Sequence, residues 1–131
     1  MAAPKSVRSR IEVGSDEAKR VVCKALFRIA ELWQLPDAKF AELLHVNKST
    51  VSKWRKQQMV PDTGVQAEVN KTVLALHRSL GSMFRSAADQ VAWLKTPHPT
   101  IGRAPMDVAT QSLEGLFKIR RYADYVRGRG A

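Results

Sequence analysis

The sequence predicts an all-α fold. Apolar residues recur at intervals of three and four through every long segment, capping residues stand where those segments begin, and no β-type alternation runs beyond a few residues. No internal repeat is present. At 131 residues, with 44% hydrophobic and 26% charged residues, the chain suits one compact domain or two small ones sharing a core, and a large multidomain enzyme is excluded.

Taken in order, Ser15 is a good N-cap, followed by Asp16 and Glu17 at the positive end of a helix dipole. Val22, Leu26, Ile29 and Trp33 then form one apolar stripe that runs until Pro36. Asp37 is expected to cap a short second helix carrying Phe40, Ala41 and Leu44. Asn47 is expected to cap a third with Val51 and Trp54, closed by Pro61. From Val65 to Met83 the positions Val69, Val73, Leu76, Leu80 and Met83 step by four and three. That spacing fits a seam pairing two subunits, but with fewer than three heptads burial inside one chain is the expectation.

Ser86 and Asp89 read as a capping box for a helix through Ala92, Trp93 and Leu94, ended by Thr96 to Pro99. Pro105 fits the first turn of a further helix. Ser112 caps the last, whose stripe comprises Leu113, Leu116, Phe117, Ile119, Tyr122 and Val126. A mobile Gly-Arg tail from Tyr125 to Ala131 is expected to follow.

Lysine and arginine total 22 against 12 acids, a net charge of +10, which favours a polyanionic partner or an anionic surface. Met1 to Arg10 lacks the apolar core of a secretory signal, and no run approaches the ~18 apolar residues of a membrane span. A cytoplasmic protein is therefore predicted, with no membrane partner. Cys23 lies among Val21, Val22, Ala25 and Leu26, where a small buried thiol is expected. His45, His77 and His98 lack metal-ligand spacing. No nucleophile pairs with a base, and no glycine loop cradles a phosphate, so no catalytic residue, cofactor or metal is expected.

The stretch from Asp37 to Trp54 meets the requirements of a helix-turn-helix. Small Ala41 sits where two helices cross, and Phe40, Leu44, Val46, Val51 and Trp54 fix their angle. Asn47, Lys48, Ser49, Ser52, Lys53 and Lys56 fall on the outward side of the second helix and are the candidate DNA-binding residues. Lys48 to Lys56 holds four cations and no acid, a balance that gains by releasing counterions from DNA. His45 stands in the turn, where a left-handed backbone usually calls for glycine. The arm bearing Lys5, Arg8 and Arg10 reads equally as a minor-groove contact or a solvated tail.

Residues 37 to 61 resemble the helix-turn-helix of Xre-type repressors, and Asn47 to Pro61 also resembles that of the lysogeny activators of lambda-like phages. Trp93-Leu94 through Pro97, Gly102 and Pro105 to Val108, then Leu113-Glu-Gly115 and a final helix, is similar to the C-terminal domain of Xre/MbcA/ParS-type antitoxins. That pattern spans about residues 86 to 128. The resemblance implies two partners: operator DNA and a cognate toxin, often an NAD-consuming enzyme of the RES type. It implies that Trp93 and Leu94 pack, that the prolines shape a loop and that Gly102 and Gly115 permit turns. Toxin-facing elements would be the 96 to 103 loop and the tail, here Thr96, His98, Arg103, Tyr125, Arg127 and Arg129. The expected division is a basic arm at 1 to 14, an Xre-like helix-turn-helix unit with its following long helix at 15 to 84, and a toxin-binding or dimerising unit at 85 to 131. A homodimer is expected. The alternative is a phage-derived or stand-alone regulator with no toxin.

Overall fold

The computed structural model describes residues 12 to 130, and the basic arm with Lys5, Arg8 and Arg10 lies outside them. Among these residues there are seven helices and no strand, as the helical periodicity predicts. The first three are α1 (Asp16–Leu32), α2 (Asp37–Leu44) and α3 (Lys48–Gln57). They are followed by α4 (Gly64–Met83), α5 (Ala87–Lys95), α6 (Pro105–Gln111) and α7 (Leu113–Gly130).

Local chemistry accounts for most boundaries. The Ser15 hydroxyl accepts from the Ala18 N–H at 3.0 Å and opens α1. At α5 the forward half of the expected box is formed, with Ser86 Oγ accepting from Asp89 N–H at 3.1 Å. Pro105 is the first residue of α6, where its missing N–H costs nothing. Ser112 Oγ accepts from Gly115 N–H at 2.9 Å and opens α7.

Three expectations are corrected. Asp37 does not cap α2: Pro36 holds the extended N-cap position without a side-chain bond, and Asp37 is the first helical residue. Its carboxylate, freed from capping, pairs with Arg55. Gly115 does not serve a turn, because it lies inside α7 with a helical neighbourhood, and a Cβ there would overlap the Val108 carbonyl oxygen. Its role is the close approach of α6 and α7. The tail is not a loose segment: α7 continues through Gly130, with Arg127 and Arg129 in the last turn, where cations suit the helix dipole.

The core is continuous along the whole described chain. Long α4 is its spine, packing against α1 and α2 on one side and α7 on another, with α5 alongside. Val69, Val73, Leu76 and Leu80 are fully covered within the chain itself, together with Leu116, Ile119 and Ala123 of α7. The heptad-like spacing of α4 is thus met by intramolecular burial, each such side chain worth ~1.5–3 kcal/mol. Among the described residues, three side-chain hydrogen bonds tie the chain's halves, one of them from Ser79 Oγ–H to Asp124 Oδ1 between α4 and α7. Trp33 Nε1–H donates to Gln90 Oε1 at 2.8 Å inside the core, and His45 Nε2 donates to the Ala109 carbonyl, also at 2.8 Å.

Candidate nucleic-acid and partner interfaces

The relation of α2 to α3 sets the first interface. Phe40, Leu44, Val51 and Trp54 are buried between and beneath these helices, and small, buried Ala41 permits the close crossing. The turn holds His45 at φ 58 and ψ 43, left-handed as expected. The imidazole offsets part of that backbone cost through its bond to Ala109. That carbonyl belongs to the last turn of α6, which extended Ser112 leaves without helical partners.

With Val51 and Trp54 turned inward, Lys48, Ser49, Ser52, Lys53 and Lys56 are exposed on the other side of α3. Ser49, Ser52, Lys53, Lys56 and Gln57 line one shallow concavity of about 400 Å³. Sequence reasoning missed Gln57, although it stands four residues after Lys53, on a neighbouring line of the helix. Asn47 and Ser49 are more occupied than their neighbours. Asn47 Oδ1 accepts from Thr50 N–H at 2.9 Å, from Thr50 Oγ1 at 2.8 Å and from Ser49 Oγ at 2.7 Å. The cap that starts α3 therefore uses both side chains, leaving Lys48, Ser52, Lys53 and Lys56 as the open donors.

The fourth cation of the stretch, Arg55, is turned to the flank. It bonds Asp37 at 2.5 Å and lies 4.7 Å over the Phe27 ring. No ladder of sequence spacing foretells a pair 18 residues apart. Cys23 is buried beneath, its thiol 3.8 Å from the Trp54 carbonyl, and burial pushes its pKa up while Arg55 opposes the shift.

The 96 to 103 loop is closed on itself. His98 N–H donates to the Arg103 carbonyl at 3.3 Å, Ile101 N–H to the His98 carbonyl at 3.0 Å, and Gly102 turns at φ 81. His98 is half-buried, with Nε2 bonded to the Trp93 carbonyl at 3.1 Å and its ring against Trp93 and Tyr122. Thr96 Oγ1 donates to the Ala92 carbonyl at 2.6 Å, and Arg103 bonds Gln111. Through Tyr122 the loop meets α7, whose next turns carry exposed Tyr125 and Arg129, bonded to each other at 2.9 Å. Arg127 does not join this group: it faces Asp124 at 3.9 Å, on the side where Asp124 accepts from Ser79.

Two known families match this chain. The antitoxin Xre-like helix-turn-helix domain covers residues 12–60, ending just past α3. The antitoxin Xre/MbcA/ParS C-terminal toxin-binding domain covers residues 79–129, from the end of α4 through the last turn of α7. No curated protein matches the chain. No described helix is long and apolar enough to cross a membrane. With the helix-turn-helix domain and the toxin-binding domain in one chain, the protein belongs to the Xre/MbcA/ParS antitoxin family: it is a DNA-binding regulator and the antitoxin of a toxin-antitoxin pair.

Proposed function

We propose that the protein, acting in the cytoplasm as a non-enzymatic homodimer, represses its own operon through α3 and neutralises an NAD-consuming toxin of the RES type through the loop and α7. In this reading residues 15 to 84 do the DNA work and 85 to 131 the toxin work. The exposed, acid-free row of Lys48, Ser52, Lys53 and Lys56 on the second helix of the motif carries the DNA assignment. Such a helix enters the major groove with cations near the phosphates and hydroxyls near base edges. A dimer would set two of these helices about 34 Å apart, one turn of duplex.

The toxin assignment rests on the family match and on Tyr125, which is 58% exposed and stiffened by Arg129 beneath a cation-π contact of 5.7 Å. An aromatic anchor beside a cation suits a carboxylate-lined cleft.

Operator titrations over a range of salt concentrations test the DNA face. Lys48→Ala and Lys53→Ala each flatten the log–log salt slope by about one unit where the lysine neutralises a phosphate, whereas removing a hydrogen bond to a base edge costs ~1–3 kcal/mol. Unchanged binding by the double variant would sink the groove assignment. Growth rescue from the co-encoded toxin tests the other face. Tyr125→Ala with Arg129→Ala abolishes rescue while operator binding persists.

A further inference from the structure

A second surface lies on the helix-turn-helix half, outside the residues matched to the toxin-binding domain. An open groove of about 960 Å³ runs between the outer face of α1 and the C-terminal end of α3. Its floor is apolar. Val21 is 49% exposed there, Phe27 is fixed by an edge contact with Phe40 at 5.2 Å, and Cys23 closes the bottom. Its rim is cationic: Arg20, Lys24, Arg28 and Arg55 against the single acid Glu31. Arg55 is engaged with Asp37, and Arg28 lies 3.5 Å from Glu31. Arg20 and Lys24 have no ionic partner among the described residues.

We propose that this groove docks an acidic amphipathic segment of a partner protein, with apolar side chains on Val21 and Phe27 and carboxylates against Arg20 and Lys24. Charge complementarity selects that occupant over the alternatives. Two copies of α1 crossing antiparallel about Lys24 would set Arg20 opposite Arg28 and Glu17 opposite Glu31, like charge on like. The chain's own first eleven residues carry Lys5, Arg8 and Arg10 and no acid, so the rim repels them. A phosphate backbone satisfies the rim but leaves the valine and phenylalanine floor uncovered, whereas an amphipathic helix satisfies both.

The experiment uses the full chain and a fluorescein-labelled helical peptide with leucines on one face and glutamates on the others, read by anisotropy. Val21→Asp weakens binding about tenfold or more, by removing apolar surface from the floor and adding a charge that repels the peptide, while Val65→Asp changes it less than about twofold. Val65 is the matched control, 71% exposed on α4 with the same change of charge. Should Val21→Asp fail to fold, Arg20→Glu with Lys24→Glu takes its place, compared with Lys71→Glu and Arg78→Glu, all exposed positions. Equal losses in test and control variants overturn the proposal, because binding would then follow net charge alone. It is also overturned if the unmodified protein shows no saturable peptide binding. A third overturning result is that the groove variants weaken operator-free duplex DNA and leave the peptide unaffected.

Discussion

Replacing Trp33 with phenylalanine tests whether the DNA-reading and toxin-binding halves are one cooperative body. Trp33 is 1% exposed and Gln90 6%, and the indole N–H to Gln90 Oε1 bond of 2.8 Å joins α1's end to α5. Among the described residues no buried side-chain polar atom lacks a partner, so Trp33→Phe creates an orphan where none exists. The smaller ring costs on the order of 1–2 kcal/mol in packing, and the stranded Gln90 oxygen another ~1–3 kcal/mol. Together these remove a large share of the ~5–15 kcal/mol that holds a domain folded. Gln90→Leu alone strands the indole N–H instead, at a similar ~1–3 kcal/mol. The double variant strands neither group, so it is more stable than the sum of the single losses by about 1–2 kcal/mol. Urea unfolding of the four proteins, followed by circular dichroism and by tryptophan fluorescence, to which Trp54 and Trp93 contribute in all four, measures this coupling. Additivity within about 0.5 kcal/mol would refute the buried bond. Two separated transitions would refute the common core.

Gly115→Ala gains up to ~1 kcal/mol of helix propensity in an open helix, but here the new methyl meets the Val108 backbone carbonyl, which cannot swing aside. We expect a net loss of ~1–3 kcal/mol and a lower melting temperature; a raised one would show that α6 and α7 do not touch there. Burial lowers the pKa of His77, whose ring meets the edge of Trp33 at 5.7 Å. The unfolded chain therefore takes up a proton at higher pH than the folded one. His77's contribution is complete above the ordinary histidine value and is lost as pH falls through the depressed one. His77→Gln flattens that acid limb of stability against pH; identical limbs would remove His77 from the account.

Much of this was legible in the residues, and the misses share a cause. Helix existence, the caps at Ser15 and Asn47, the inward phase of Val51 and Trp54 and the left-handed turn at His45 follow from contacts within a few residues of chain. What sequence reasoning missed depends on distant partners. Asp37 looked like a cap because its type suits one, but Arg55 arrives from 18 residues away to claim it. Gly115 looked like a turn residue because only the fold brings Val108 against it. The last residues looked loose because glycine and arginine dominate them; in the structure Arg129 reaches back to Tyr125 and α7 continues through Gly130. The exposure of Lys48, Ser49, Ser52, Lys53 and Lys56, away from Val51 and Trp54, follows from helical phase, but the capping duty of Ser49 and the flank position of Arg55 needed three dimensions.

The shared core governs how the two partners can be separated experimentally. Because α4 packs against both the helix-turn-helix and α7, a substitution that loosens either half withdraws stability from the other. Deleting residues 125 to 131 would remove half-buried Val126, the Arg127 approach to Asp124 and the last helical turn. Failure of toxin rescue in that truncation would then mix a missing binding group with a weakened fold. Exposed side chains avoid the ambiguity: Lys53 on α3, and Tyr125 with Arg129 on α7, are exposed and are not members of the core cluster. Variants there alter one surface at a time. If operator affinity nevertheless fell with Tyr125→Ala and Arg129→Ala while the melting curve stayed unchanged, the two faces would be linked through more than stability. The His45 to Ala109 bond, joining the turn before α3 to the helix before α7, and the Ser79 to Asp124 bond, which reaches α7 beside Tyr125, are two contacts between the halves through which such a link could run.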